Sequence, residues 1–389
     1  MKILFDLQLS FIDKKTGKFK LDCDSNFNFT KNVILGFKQL DKDIQIGLIL
    51  PNKETSECNA EFYSNLENIV DLFFVKYPSN FITSRFIFPF YELKDVINKY
   101  QPDFMWTNDF CRVPMYKCVI NELNYEFKII AYNHWIDNFM YPKVDANYTY
   151  FFSQIDGAFK ADYILFNTQR GIDIFVEGLE DKFNYDFCWQ ISSKSYIVNP
   201  AFDFNVLKDI NRNKFKFNTK TILFNHRLST LFYYKSNFKY LRQMCDRLQN
   251  IYKFDVILTN PSGYIYSDLP SYMKSVNVPD YLEYLSLISS CDICVGFFFD
   301  SPGTWSMSLA EAAAIGIPLV LPNKSGYKEI VPCNYEFLAD SFEDAVKKVE
   351  ELLLLNSQER KDIGKKLSLY AYNTYSPVNA IKSFYKVIK

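Results

Sequence analysis

Glycine is scarce in this chain: 12 of 389 residues, against a usual share of about 7%. Loops that cradle phosphate on several glycines are therefore few. There is no G-x-x-x-x-G-K-[ST], and no G-x-G-x-x-G follows the first apolar run. These gaps argue against a P-loop nucleotidase and against a typical dinucleotide dehydrogenase. Histidine is scarcer still. His134 and His226 are the only two, so a His-rich metal site is excluded and any catalytic histidine is one of that pair. No apolar run reaches the roughly 18 residues a membrane span needs. An excess of one charge is missing too: Lys plus Arg is 44, Asp plus Glu is 45, and the net charge is −1. That excludes gripping nucleic acid or an acidic membrane by bulk charge, and leaves local basic patches open. The opening Met1-Lys2-Ile3-Leu4-Phe5-Asp6 lacks signal-peptide organisation. The nine cysteines are scattered and odd in number. The expectation is a reduced, cytoplasmic protein with buried thiols and no integral membrane association.

Aromatic residues are abundant, with 38 Phe and 28 Tyr; so many should line clefts as well as fill cores. The length fits two domains at roughly 150 residues each. Strand-like apolar runs recur at Ile3–Leu9, Ile44–Leu50, Phe86–Phe88, Phe104–Trp106, Phe127–Tyr132, Tyr163–Phe166 and Tyr196–Val198, with helix-like segments between most of them. A basic stretch from Asp209 to Lys220 interrupts the pattern. It then restarts with strands at Thr221–Phe224, Phe254–Leu258, Ile293–Phe299 and Pro318–Leu321, and helices at Asn237–Leu248, Tyr281–Ile288, Ser306–Ile315 and Phe342–Leu355. Short apolar strands alternating with helices imply parallel sheets covered on both faces. The expected fold class is α/β: two open, doubly wound domains in tandem, with the main site in a cleft between them. The expected boundaries are 1–205, 206–372, and a C-terminal helix over 373–389 that docks back on the first domain.

Three stretches could carry chemistry. Asp300-Ser301-Pro302-Gly303-Thr304-Trp305-Ser306 is a short turn that leads into an alanine-rich helix carrying Glu311 and ending at Gly316-Ile317-Pro318. The first amides of that helix lack partners and, with the helix dipole, make an anion site. Glu311 lies where it could reach hydroxyls beside a bound phosphate. Phe224-Asn225-His226-Arg227 follows the first strand of the second half, with Lys235 eight residues beyond Arg227 and Lys239 as its alternative. An arginine and a lysine there would stabilise charge developing on a leaving diphosphate. His226 reads equally as a structural side chain of the loop. Asn133-His134-Trp135-Ile136-Asp137 follows a first-half strand, making His134 a catalytic candidate. Asp137 and Asp109 are candidates for orienting an acceptor or removing its proton. Trp106 and Trp135 end strands, where they either stack on a ligand or pack in the core. The lone Cys291-Asp292-Ile293-Cys294 reads as buried thiols, and Asp22-Cys23-Asp24 as loop.

The stretch from Gly303 to Val320 resembles the donor-site signature of GT-B glycosyltransferases, in particular the retaining, family-4-like group: two glutamates separated by seven residues, small residues, Gly-x-Pro and an apolar strand. Glu311 occupies the second glutamate position, which in the family bonds the ribose of the sugar nucleotide. The first falls on Gly303, a departure that Asp300 could offset. The resemblance implies a GT-B fold of two Rossmann-like domains facing across a cleft. It implies a nucleoside diphosphate sugar, UDP-sugar foremost, as donor, with no obligatory metal and retention of configuration. Arg227, Lys235, His134 and Asp137 are then the catalytic set. Asn225, His226, Gly303, Thr304, Trp305, Ser306, Glu311, Asp300 and Pro279 are the donor contacts.

The Asn-His-Arg element is also similar to one in enzymes that glycosylate modified nucleic-acid bases, including phage-type DNA glycosyltransferases. The acceptor expected first is therefore a hydroxymethylated pyrimidine in DNA, flipped from the duplex, in the host cytoplasm if the protein is viral. Lys14, Lys15, Lys18, Lys20 and Arg112 would meet phosphates, with Trp106, Asp109 and Trp135 completing the acceptor side. The alternatives are a cell-envelope or polysaccharide glycosyltransferase and a catalytically silent sugar-nucleotide binder.

Overall fold

The apolar runs become strands because each is buried on both faces. Along Lys220–Phe224, Ile222 and Phe224 enter one core while Leu223 enters another on the opposite face. Such two-sided burial selects continuous apolar runs over alternation. The computed structural model describes the chain except residues 8, 10–15, 22–23, 57, 59, 77–87, 134–145, 181, 213, 227–231, 260–268, 279, 298 and 300–304. The described chain separates into two units, Met1–Ala201 with Pro377–Lys389, and Phe202–Ser376.

In the first unit, β1 (Lys2–Asp6), β2 (Gln45–Pro51), β3 (Asp71–Val75), β4 (Phe104–Thr107), β5 (Lys128–Asn133), β6 (Tyr163–Phe166) and β7 (Ser195–Ile197) form one sheet. Its order is β3-β2-β1-β4-β5-β6-β7, and every pairing is parallel. Its helices are α1 (Ser25–Leu40), α2 (Ala60–Glu67), α3 (Phe90–Tyr100), α4 (Val113–Leu123), α5 (Ala146–Lys160), α6 (Gln169–Glu180) and α7 (Tyr185–Ser192). The Asp24 side chain accepts from the amides of Asn26 and Phe27 and so caps α1. The second acidic residue of Asp22-Cys23-Asp24 is thus spent on a helix start.

The second unit repeats the plan with β8 (Lys220–Phe224), β9 (Phe254–Thr259), β10 (Met273–Val276), β11 (Ile293–Val295), β12 (Leu319–Pro322) and β13 (Leu338–Ala339). Their order is β10-β9-β8-β11-β12-β13, again parallel throughout. The helices are α8 (Phe232–Leu248), α9 (Tyr281–Ser289), α10 (Met307–Ile315), α11 (Phe342–Leu354) and α12 (Ser357–Tyr375). A last helix, α13 (Pro377–Ile388), returns to the first unit and lies on α1, so closely that a Cβ on Gly36 would meet the Pro377 carbonyl oxygen at 2.2 Å.

Three strands escaped the sequence pattern. β3, β10 and β13 are edge strands, and none of them is buried along its whole length. The run expected at Phe86–Phe88 is not a strand at Phe88, and residues 86–87 lie outside the described residues. Among the described residues no helix is long and apolar enough to cross a membrane.

Candidate donor-binding site

In each sheet the chain runs outward in one direction from its first strand and then crosses back to the other side. The reversal leaves a crevice at the carboxyl ends of two neighbouring strands, where ligands of doubly wound sheets bind. In the second unit those strands are β8 and β11. The described segments leaving them begin with Asn225-His226 after β8 and Gly296-Phe297 after β11, at the carboxyl ends of neighbouring strands.

Helix α10 begins at Ser306, whose backbone is extended and whose side chain makes no capping bond. Its Oγ lies 3.2 Å from Ser308 Oγ instead. The first-turn amides of α10 are thus not capped by that side chain and keep their capacity for an anion. The helix ends at Gly316, whose φ of 91° only glycine adopts without strain. Ala310 and Ala312–Ala314 are buried, which lets the helix lie close to its neighbours.

Asn225 ties this arrangement together. Its Nδ2 donates to the Ser308 carbonyl at 2.5 Å, and its Oδ1 accepts from Cys294 Sγ at 3.5 Å. One buried amide thereby fixes β8, β11 and the start of α10 relative to each other. The expected donor contact at Asn225 is corrected: its side chain is committed to protein partners and is 4% exposed. His226 is likewise buried, with its ring edge-on to Phe224 at 5.0 Å. Burial pushes its pKa down to about 3, against the opposing hydrogen bond to the Val295 backbone. It is a buried, neutral side chain that hydrogen-bonds the backbone of Val295 on the neighbouring strand and supplies no positive charge.

Glu311 faces α9. Tyr281 donates from its hydroxyl to Glu311 Oε1 at 2.9 Å. Burial pushes the Glu311 carboxyl up to about 7, and hydrogen bonds from Tyr281 and Tyr284 hold it below where burial alone would put it. Sequence reasoning missed both tyrosines. Their spacing of three along α9 was the available signal, since it puts both hydroxyls on one face. Trp305, just before the helix, packs edge-on against Tyr375 at 5.0 Å. Lys235 lies in α8. Arg227, Asp300, Gly303, Thr304 and Pro279 lie outside the described residues.

In the first unit the crevice falls between β1 and β4, and three of the residues expected on the acceptor side are buried there. Trp106 is fully buried; it packs on Phe5, Phe37, Tyr132 and Phe384 and donates its indole N–H to Asn108. No face of that ring is free for stacking. Arg112 is 2% exposed and pairs with Asp6 at 2.5 Å, where the Tyr116 hydroxyl also donates. A guanidinium neutralised inside the fold does not meet phosphate. Asp109 is buried, and its Oδ1 accepts from the Cys111 amide, capping a 3₁₀ turn. Lys18 is exposed. Lys15, His134, Trp135 and Asp137 lie outside the described residues. Cys291 and Cys294 are buried free thiols. Among the described residues no group of three or more His, Cys, Asp or Glu is placed to hold a metal ion.

Residues 241–380 match a protein family described as glycosyl transferase-like. No curated protein matches the sequence. Solved structures do. Anabaena HepE in complex with UDP and glucose superposes with a TM-score of 0.65 at 14% identity, over 100% of this chain and 99% of that one. Sucrose-phosphate synthase from Thermosynechococcus elongatus gives 0.66 at 10% identity, over 100% and 98%. The lipopolysaccharide outer core galactosyltransferase WaaB gives 0.61 at 13% identity, over 100% and 99%. The likeness spans both units, and the fold is the two-domain parallel α/β fold of GT-B glycosyltransferases.

Proposed function

We propose that this chain is a glycosyltransferase that moves a sugar from a UDP-sugar to an acceptor hydroxyl, with the second unit holding the nucleotide. The observation that carries this reading is the convergence at the β8–β11 crevice: an α10 N-terminus that the Ser306 side chain does not cap, with Glu311 one turn inside it beside Tyr281. A diphosphate fits the amides of that helix start, and a ribose diol fits a carboxylate a turn away. The match of residues 241–380 to a glycosyl transferase-like family supports the same reading.

In the reaction the bond from the sugar's anomeric carbon to the diphosphate oxygen breaks, and one to the acceptor oxygen forms. The diphosphate leaves with the electron pair. The helix N-terminus, Arg227 and Lys235 stabilise that developing charge without an obligatory metal. Retention of configuration, and a role for His134 and Asp137 at the sugar, belong to this proposal as implied by the family resemblance.

For the acceptor we favour a saccharide hydroxyl of a cell-envelope or secreted polysaccharide. The likeness to WaaB, a lipopolysaccharide outer core galactosyltransferase, supports this choice, and the burial of Trp106 and Arg112 removes two of the contacts a DNA base and its phosphates needed. A hydroxymethylated pyrimidine in DNA is the alternative that the assay separates. Nucleotide sugars are crossed with simple glycans, hydroxymethylated DNA and plain DNA, and product is read by mass shift. Transfer to glycan alone supports the saccharide reading, and transfer to modified DNA alone replaces it. UDP-sugar turnover that survives both Arg227→Ala and Glu311→Ala unchanged overturns the site. A chain that binds UDP-sugar yet neither transfers nor hydrolyses it is a silent binder.

A further inference from the structure

A buried carboxyl group needs hydrogen-bond donors or a cation, because the interior solvates charge poorly. Glu311 is 9% exposed. The titratable and polar groups that face it or its tyrosines come from four elements. They are Tyr281 and Tyr284 on α9, Cys294 on β11, Asn225 after β8, and Asp203 before the 3₁₀ turn at Phe204–Lys208. Among the described residues none of these is a cation. Among the described residues, the hydroxyls of Tyr281, 2.9 Å from Glu311 Oε1, and of Tyr284 are the donors that stabilise Glu311 as a carboxylate. Part of the Tyr281 side chain is exposed, while its hydroxyl end is buried against Glu311.

A carboxylate offers about four acceptor positions, so a bond from each tyrosine leaves room for a diol. Once protonated, the same group carries its own hydrogen and accepts less. We infer that Tyr281 is the positioning residue for Glu311, its hydroxyl holding the carboxylate in the orientation that accepts the ribose hydroxyls of the nucleotide. This inference rests on the glycosyltransferase reading above. It assigns Tyr281 no contact with the reacting atoms; it acts through Glu311. The Glu311 carboxyl titrates near neutrality, so nucleotide affinity must rise with pH as the carboxylate forms. Loss of the Tyr281 hydroxyl must move that rise to higher pH.

The test is calorimetric titration of UDP into the full chain at several pH values from slightly acid to alkaline, for wild type, Tyr281→Phe and Glu311→Gln. The phosphate titration of UDP is common to all three, and the glutamine variant supplies the baseline without a carboxyl. Relative to that baseline, wild-type affinity should rise with a midpoint near 7. In Tyr281→Phe the midpoint should move up by about one unit, weakening UDP by up to about tenfold at neutral pH and little in alkali. A uniform loss at every pH, with the wild-type midpoint kept, makes Tyr281 mere packing and overturns the inference. If Tyr281→Phe does not fold, infrared difference spectra of wild type against Glu311→Gln follow the carboxyl directly. Its protonated band must vanish when UDP is added at neutral pH, and persistence overturns the inference. A wild-type chain that binds no UDP at any pH overturns the glycosyltransferase reading itself.

Discussion

Two buried groups beside the β8–β11 crevice respond to pH in opposite directions. Burial keeps His226 neutral, with a folded pKa of about 3 against an ordinary 6.5. It keeps Glu311 protonated up to about 7 against an ordinary 4.5. For His226, stability is lost as pH falls from 6.5 toward 3, because only the unfolded chain takes up the proton. For Glu311, stability is fully present below 4.5 and is lost as pH rises to 7, because only the unfolded chain releases the proton. Between 4.5 and 6.5 the two slopes oppose each other. Each is roughly 1 kcal/mol per pH unit for one proton, so the pair nearly cancels there. Glu311→Gln should therefore give a stability that climbs with pH across this window relative to wild type. His226→Asn should give one that falls. Urea unfolding of the second unit at several pH values measures both slopes; a glutamine variant with the wild-type slope would show that Glu311 ionises normally. That Glu311 matters could be read from its place in an alanine-rich helix before Gly316 and Pro318. That it sits under two tyrosines could not, because residues 281 and 311 are thirty positions apart and nothing in either segment names the other.

At the scale of elements, the position of α10 depends on how close α12 can come. A Cβ on Gly364 would meet the Gly316 carbonyl oxygen at 1.9 Å. Alanine there would gain about 1 kcal/mol of helix propensity. It would also drive a methyl group into backbone that no rotamer change can move aside, at a cost of roughly 3 kcal/mol. The clash is the larger effect. Gly364→Ala should thus lower the stability of the second unit by about 2 kcal/mol net. It should also weaken UDP binding by displacing the helix, as thermal melts with and without UDP would measure; an unchanged or raised melting temperature contradicts the close contact. The helix itself was legible: alanines, a polar turn before it and Gly-x-Pro after it gave Ser306–Ile315, and it runs Met307–Ile315 with Ser306 as cap. The strands β10 and β13 were not legible, since Met273–Val276 has two exposed residues and Leu338–Ala339 is only two residues long.

At the scale of the whole chain, the first unit is completed by the last helix. On α13, Ile381, Phe384, Tyr385 and Ile388 are buried, and Tyr385 donates to Asp41 at 2.7 Å. At about 2 kcal/mol for each large apolar side chain, removing this helix costs the first unit on the order of 5–10 kcal/mol. That is comparable to the whole stability of many domains. A chain ending at Ser376 should lose hydrogen-exchange protection in β1 and β4 and keep it in β8 and β9. Equal loss in both units would mean that α13 does not belong to the first unit alone.

Local periodicity, on its own, determined the alternation of strands and helices, the two-domain division and the helix carrying Glu311, because each follows from the apolar pattern and breakers within one segment. Only the tertiary structure decided which polar side chains face the interior. Trp106 lies near the carboxyl end of β4 and Arg112 in the 3₁₀ turn that follows it, where ligand-binding residues are common, yet Phe384 from the far end of the chain touches Trp106, and Asp6 from the adjacent first strand neutralises Arg112. Periodicity shows which face of an element is apolar; what covers that face is set by strand order and long-range packing.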